Sequence, residues 1–386
     1  MFIHRHIETS IRSLISKYPI LAVTGPRQSG KTTLLRQIFP DYSYVSLEDP
    51  DAREFASTDT RGFLAHYGQH VIIDEAQQVP QLFSYLQTRV DVQGTMGQYI
   101  LSGSQNFHLM KHITQSLAGR VAIFKIFPFD FSELANTPFM PQDIYQAMLR
   151  GFYPALYSRD IPSKQFYANY VQTYVQRDVS ELIAIKDLRT FKNFLGLCAA
   201  RAGQLLNLNN LANECGISQP TAKAWLSALE NSYIVFLLHP WHQNFSKRIV
   251  KTPKLYFYDT GLLSFLLKIS NINQLIDSTI KGALFENMLI AEYLKATYHG
   301  NLTPDAWFWR DSTGHEVDLL IQEGDRFLAT ELKATQTINT HLFKELNYIE
   351  ELSNYQLAKN LIYAGAESYV REGINIRSWK NAFASE

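Results

Sequence analysis

The stretch that most restricts the fold is residues 20–39, "ILAVTGPRQSGKTTLLRQIF". A short apolar run, Ile20–Thr24, enters a glycine-flanked turn. Leu34, Leu35 and Ile38 then recur at helical spacing. Gly25, Gly30, Lys31 and Thr32 satisfy G-x-x-x-x-G-K-[ST] in the strand–turn–helix context that gives the pattern its meaning. In such a loop, backbone N–H groups and the helix N-terminus form a concavity for phosphate. The expected ATP contacts run through Gly25, Pro26, Arg27, Gln28, Ser29, Gly30, Lys31, Thr32 and Thr33. Lys31 is assigned to the β- and γ-phosphates and the Thr32 hydroxyl to Mg²⁺. The bland alternative is a plain glycine turn before a helix.

A second segment, "HVIIDEAQQVP" at 70–80, is an apolar run ending in two acids. Ligands of parallel sheets collect at the carboxyl ends of strands, so Asp74 is expected to hold Mg²⁺ and Glu75 to activate the attacking water. Adjacent acids favour hydrolysis over phosphoryl transfer, which argues against a small-molecule kinase. A third run, "QYILSGSQNF" at 98–107, ends in Ser102, Ser104 and Asn106, which are within reach of a γ-phosphate in this reading. Serines after a strand are otherwise turn formers. Arg120 precedes a fourth apolar run and is the preferred arginine finger, in cis or across a subunit interface, with Arg177 as its rival. A finger in trans implies a homo-oligomer.

Taken as a set, these residues resemble the AAA-type P-loop ATPases. More narrowly, the chain is similar to a large bacterial and archaeal family known only as predicted ATPases. The matching stretches are "GPRQSGKTTLL", "IIDEAQ", "SGS", "LAGRV", "RGFYPAL", "YVQRDVSEL", "YFYDTGLL", "GALFENMLIAEYL" and "ELKAT". The resemblance implies an ATPase domain, then a winged-helix segment, then a domain of the PD-(D/E)xK nuclease-like class. It implies no cellular role.

The 386 residues agree with two or three domains. Proline and glycine at Pro138, Pro141, Gly151, Pro154 and Pro162 mark a boundary. The expected architecture is α/β: a parallel-sheet P-loop domain over 1–136, a helical linker over 137–203, a winged-helix segment over 204–258 and a restriction-endonuclease-like domain over 259–386. Formal net charge is zero, so nucleic-acid contact must come from local patches. Cys198 and Cys215 provide neither a disulfide framework nor a Cys/His metal cluster. The N-terminus lacks an uninterrupted apolar stretch, and "YIVFLL" at 233–238 is too short to span a bilayer. The expectation is a soluble cytoplasmic protein.

Phe166, Tyr170 and Tyr174 form an aromatic stripe at helical spacing, read as core packing. Helices are expected over 208–215 and 219–230, with Ser218 capping the second, and a strand over 234–238. This is a helix-turn-helix with a wing. Its second helix carries Lys223 as its one cation, poor equipment for reading bases, so a packing module between domains is the commoner reading. The segment 244–257 adds Lys247, Arg248, Lys251 and Lys254 without an acid, either a phosphate-contacting wing or a solvated loop.

The stretch "HEVDLLIQEGDRFLATELKAT" at 315–335 has the pattern of a β-hairpin around Glu323-Gly324-Asp325-Arg326. Strand period puts Glu331 and Lys333 on one face, and Asp318 comes from the partner strand. Glu286 shares a helix face with Leu289, Ile290 and Tyr293, where a carboxylate is costly unless paired or metal-bound. The class needs three acids and a lysine. Glu286, Asp318 and Glu331 would hold Mg²⁺, and Lys333 would act on the reacting phosphate. The alternative is a solvated hairpin with an incidental Glu–Lys pair. Two functions follow: an ATPase coupled to a nuclease-like domain acting on DNA or RNA, or a nucleotide-gated scaffold whose C-terminal domain binds a partner and cuts nothing.

Overall fold

A computed structural model of the chain describes residues 3–104, 106–179, 187–241, 250–353 and 355–383; the side chains of 106–108 and 176–179 lie outside that description. The P-loop strand forms as β1 (Ile20–Thr24). It lies inside a parallel sheet with β2 (Ser43–Ser46), β3 (Val71–Asp74), β4 (Tyr99–Gly103) and β5 (Val121–Lys125), in the order β2-β3-β4-β1-β5. Strands covered on both faces read as unbroken apolar runs. Ile20 and Ala22 therefore enter a core with Phe63, Phe83 and Leu86, while Leu21 and Val23 enter another with Ile7, Leu34 and Leu35. Because β4 lies between β1 and β3, the loop after β1 and the acidic end of β3 open onto one crevice.

The middle of the chain is helical. Phe166, Tyr170 and Tyr174 are buried, as core packing requires, and the Tyr174 hydroxyl donates to the Ser232 carbonyl at 2.9 Å. Helices Leu208–Cys215 and Gln219–Asn231 form the expected pair, and the Ser218 side chain accepts from the Thr221 amide. Trp225 on the second helix lies edge-on to Phe191 and Phe194, so this helix packs inward. Strands β6 (Val235–Leu238) and β7 (Lys254–Phe257) then pair antiparallel.

The C-terminal sheet holds β8 (Ala306–Arg310), β9 (Glu316–Glu323), β10 (Arg326–Lys333), β11 (Gln356–Tyr363), β12 (Tyr369–Arg371) and β13 (Ile374–Ser378). Their order is β12-β13-β11-β10-β9-β8. Strands β9 and β10 form the expected hairpin: Glu323 pairs with Arg326, and Gly324 turns the chain at φ 65°. The long helix Lys281–His299 packs against β10 and against β5 of the first sheet, so it touches both α/β units.

Candidate functional site

The loop after β1 is tight enough to dictate its residues. Gly25 has φ 151°, and a Cβ there would lie 2.0 Å from the Ile126 carbonyl oxygen. Gly30, at φ 91°, turns the chain into the helix Lys31–Ile38. The buried Lys31 ammonium bridges the carbonyls of Gly25 at 2.9 Å and Pro26 at 2.8 Å. Burial lowers its pKa, against the opposing fields of Glu75 and Asp74. Arg27 bonds Glu48 at 3.0 Å, Gln28 sits at φ 62°, Ser29 is buried and Thr33 is exposed.

Asp74 is the hub of the crevice. Its Oδ2 accepts from Thr32 Oγ1 at 2.7 Å and the Tyr44 hydroxyl at 3.0 Å; its Oδ1 accepts from Ser102 Oγ at 2.5 Å and the Glu75 amide at 3.1 Å. Glu75 takes the left-handed conformation, φ 51°, which is unusual for a non-glycine residue. Glu75 Oε2 accepts from Gln77 Nε2 and from Ser104 Oγ at 3.1 Å. Burial, reinforced by Asp74, raises the Glu75 pKa despite Lys31. The structure thus brings together Lys31, Thr32, Asp74, Glu75, Ser102 and Ser104; Asn106's side chain lies outside the described residues.

Two crevice residues escaped the sequence. Tyr44 lies at an unremarkable strand position, and its hydroxyl pKa is pushed up to about 12 by burial and Asp74. Gln77 had a legible signal, being two residues beyond Glu75 in "DEAQQ".

Arg120 differs from a cis finger. It lies half-buried before β5, bidentate to Asp91 at 2.5 and 2.8 Å. Thr24 pairs with Lys125 at the other end of that strand, so roughly 16 Å of strand separates Arg120 from the P-loop edge. The side chain of Arg177 lies outside the described residues.

Behind the P-loop is a buried polar network that the sequence did not announce. Arg5 donates to the Ser29 carbonyl at 2.9 Å, the Phe127 carbonyl at 2.6 Å and Glu133 Oε1 at 2.9 Å. His299 Nδ1 lies 2.6 Å from Asp130 Oδ2, and its Nε2 accepts from the Phe127 amide at 3.1 Å. One helical turn back, Lys295 donates to the Phe129 carbonyl at 2.7 Å, and two turns back Glu292 accepts from the Phe131 amide. Burial pushes Glu292 up to about 7, against Lys295.

The C-terminal acids also come together. Continuing the hairpin register, in which Thr330 pairs with Leu319, puts Asp318 opposite Glu331. Asp318 Oδ2 accepts from the Leu332 amide at 2.9 Å and lies 3.7 Å from Lys333 Nζ. Lys333 bonds Glu331 Oε1, and Glu331 Oε2, buried, has no donor among the described residues. Glu286 Oε1 accepts from the Tyr256 hydroxyl at 2.5 Å and Lys254 Nζ at 3.0 Å. Burial and the Asp318 charge push Glu286 up to about 7; burial, then Asp318 and Glu286, also raise Glu331 above the usual carboxylate range.

Lys254 requires a correction. Its ammonium is not on a solvent-facing wing: it is 2% exposed, on β7, and bonds Glu286 and, at 2.5 Å, Glu316. Burial pulls its pKa down, but Glu286, Asp318 and Glu316 outweigh burial and hold it above the usual lysine range. Period-2 counting from Asp318 reaches Glu316, a signal the sequence reading left unused. Of the other cations in that segment, Lys251 is exposed, while Lys247 and Arg248 lie outside the described residues. The set that brings three ligand atoms within 4.8 Å of one another, among the described residues, is Asp130, Glu133 and His299, not Glu286, Asp318 and Glu331. In the former set each carboxylate is already bonded to Arg5, His299 or backbone amides, which explains it as a structural network.

Residues 17–135 match the family described as an AAA domain. With the P-loop and the Asp74–Glu75 strand end, this makes residues 17–135 a P-loop ATPase domain of that kind. Residues 141–273 and 281–380 match two domains of unknown function, DUF8612 and DUF4143. Two curated relatives, the uncharacterized proteins Mb2031c of Mycobacterium bovis and Rv2008c of Mycobacterium tuberculosis, are each 29% identical over 338 residues, 86% of this chain and 74% of theirs. Among solved structures, the Walker-type ATPase PABY2304 of Pyrococcus abyssi aligns at TM-score 0.47 and 16% identity, covering 69% of this chain and 96% of that one. The ORC2 protein of Aeropyrum pernix in its ADP form aligns at TM-score 0.31 and 11% identity, over 61% and 87%. Among the described residues, no helix is long and apolar enough to cross a membrane.

Proposed function

We propose that this ATPase hydrolyses ATP with Mg²⁺ and serves a C-terminal metal-dependent centre of PD-(D/E)xK type that acts on nucleic-acid phosphodiesters. At the P-loop, the hydroxyl of Thr32 and the carboxylate of Asp74 are a hard-oxygen set suited to Mg²⁺. The ion would neutralise charge on the β- and γ-phosphates. Lys31 exchanges the carbonyls of Gly25 and Pro26 for phosphate oxygens, and loop amides take the others. Glu75, whose pKa burial raises above the usual carboxylate range, takes the proton of the attacking water, with Ser104 and Gln77 fixing its carboxylate.

The observation that carries the C-terminal reading is the cross-strand placement of Asp318 and Glu331 beside Lys333, with one buried oxygen of Glu331 lacking a donor among the described residues. A buried, unsatisfied carboxylate oxygen is expensive, and a divalent ion would satisfy it. Glu286, Asp318 and Glu331 would hold that ion, which would activate water and stabilise the leaving oxygen. Lys333 is left to offset charge on the phosphate. A second reading, a nucleotide-gated scaffold that cleaves nothing, is favoured by Lys254 and Lys333, which already neutralise the acids.

The deciding experiment incubates the protein with Mg²⁺ and ATP against single- and double-stranded DNA and RNA. The expected result is cleavage that Asp318→Ala removes while ATP hydrolysis continues. Absence of cleavage across the panel favours the scaffold.

A further inference from the structure

We propose that Lys254 is a tethered cation that holds the Glu286 side of the C-terminal carboxylate cluster and keeps a divalent ion out until the β6–β7 strand pair moves. The inference rests on the metal-centre reading above and adds its regulation.

Glu286 is served by one strand. Lys254 and Tyr256, two residues apart on β7, both bond its Oε1, at 3.0 and 2.5 Å. The same ammonium reaches Glu316 Oε1 at 2.5 Å, and Arg310 holds the other Glu316 oxygen at 2.7 Å. Lys254 therefore spans acids from the long helix and from β9, while its own backbone belongs to the middle segment. An ammonium and a hard divalent ion want the same carboxylate oxygens and repel at contact distance, most strongly where water is excluded. The side chain of Lys254 is 2% exposed, so little solvent screens that repulsion. Among the described residues, Glu286, Asp318 and Glu331 do not form a set whose ligand atoms all lie within 4.8 Å of one another, whereas one ion must touch all three.

The strand pair also has a link to the nucleotide site. Tyr233, which precedes β6, sits in the left-handed region at φ 56° and is buried. Its hydroxyl lies 3.2 Å from Thr24 Oγ1, on the residue immediately before Gly25. A non-glycine residue held there is strained, and such strain persists only where surrounding packing enforces it. Movement of the P-loop on binding ATP thus acts directly on the base of the strand pair that carries Lys254. The coupling is reciprocal: a metal ion seated on the acids should favour the nucleotide-bound arrangement.

The test measures Mn²⁺ binding to the full-length, nucleotide-free protein by electron paramagnetic resonance, counting the part removed by Asp318→Ala in each background. Lys254→Gln keeps a hydrogen-bond donor without charge and should bind that Mn²⁺ on the order of 10-fold tighter than wild type. Lys254→Arg keeps the charge and should bind as weakly as wild type. A purely structural lysine would weaken the site when replaced, never tighten it. Unchanged or weaker affinity in Lys254→Gln, with Asp318-dependent binding intact in wild type, overturns the gate and leaves the metal centre standing. Absence of Asp318-dependent Mn²⁺ in every variant overturns the metal centre and the gate with it. Should Lys254→Gln fail to fold, wild type decides. A non-hydrolysable ATP analogue must then increase Asp318-dependent binding, and no increase refutes the gate.

Discussion

Removing Arg5 is the most direct probe of how the ATPase core is held. Its guanidinium is enclosed, with side-chain exposure of 4% against 0% for Glu133, and packs 4.9 Å over the Phe129 ring. Arg5→Met keeps the stem and the packing but leaves the buried Glu133 carboxylate without its cation. Breaking a buried pair from one side costs about 3–5 kcal/mol, because the surviving charge stays desolvated. Glu133 still accepts from the amides of His6 at 3.1 Å and Asp130 at 3.3 Å, so the lower end, about 3 kcal/mol, is expected. For a unit of this size that is a fall of roughly 6–12 °C in the first thermal transition, followed by tryptophan fluorescence. Glu133→Gln should cost a similar amount, and the double variant much less than the sum, with a coupling of about 2 kcal/mol. Losing the Ser29 carbonyl bond should also weaken a fluorescent ATP analogue by about 3- to 10-fold. A fall under about 3 °C, or additive single variants, would refute the reasoning, since either means the pair is not one energetic unit.

Lys31→Ala should abolish tight ATP binding, whereas Glu75→Gln should bind ATP and turn it over slowly; wild-type turnover in Glu75→Gln removes its role as base. The Glu292 carboxyl, at about 7 in the folded chain against an ordinary 4.5, holds its proton in the folded state where the unfolded chain has lost it. Its contribution to stability is therefore present at low pH and lost as pH rises from 4.5 to about 7, so the advantage of Glu292→Gln over wild type in urea should grow across that window. A gap independent of pH would show that Glu292 titrates normally. Arg120→Ala should hydrolyse ATP at the wild-type rate when dilute enough to be monomeric, because Arg120 lies at the far end of β5 from the P-loop. A loss of rate under those conditions restores a cis role.

The parts legible in the sequence are those where local chemistry admits one geometry. A Cβ at Gly25 would collide with the Ile126 carbonyl, so the loop advertises itself. The hairpin turn at Gly324 and the cap at Ser218 are similar cases, each a local hydrogen-bond or torsional demand met by few residue types. The cross-strand placement of Asp318 and Glu331 was legible through strand period. Lys254 was not, because a lysine in a run of cations looks solvated until its tertiary partners, 32 and 62 residues away, are known. The same holds for Arg5 and His299, separated by 294 residues. Arg120, read as a finger in cis or in trans, lies at the end of β5 away from the P-loop edge, because distance along the chain says nothing about which end of a strand a residue occupies.

The long helix Lys281–His299 has a consequence for anyone dissecting the chain. Its last turns supply Glu292 to the Phe131 amide, Lys295 to the Phe129 carbonyl and His299 to the Phe127 amide, all on the segment leaving β5. A fragment ending near the middle of the protein would strip three buried backbone groups of their partners and open the wall behind the P-loop. Such a fragment would report on a damaged enzyme, and a loss of ATPase activity in it would say nothing about communication between domains. Point substitutions in the intact chain, rather than truncations, are the instrument this architecture permits.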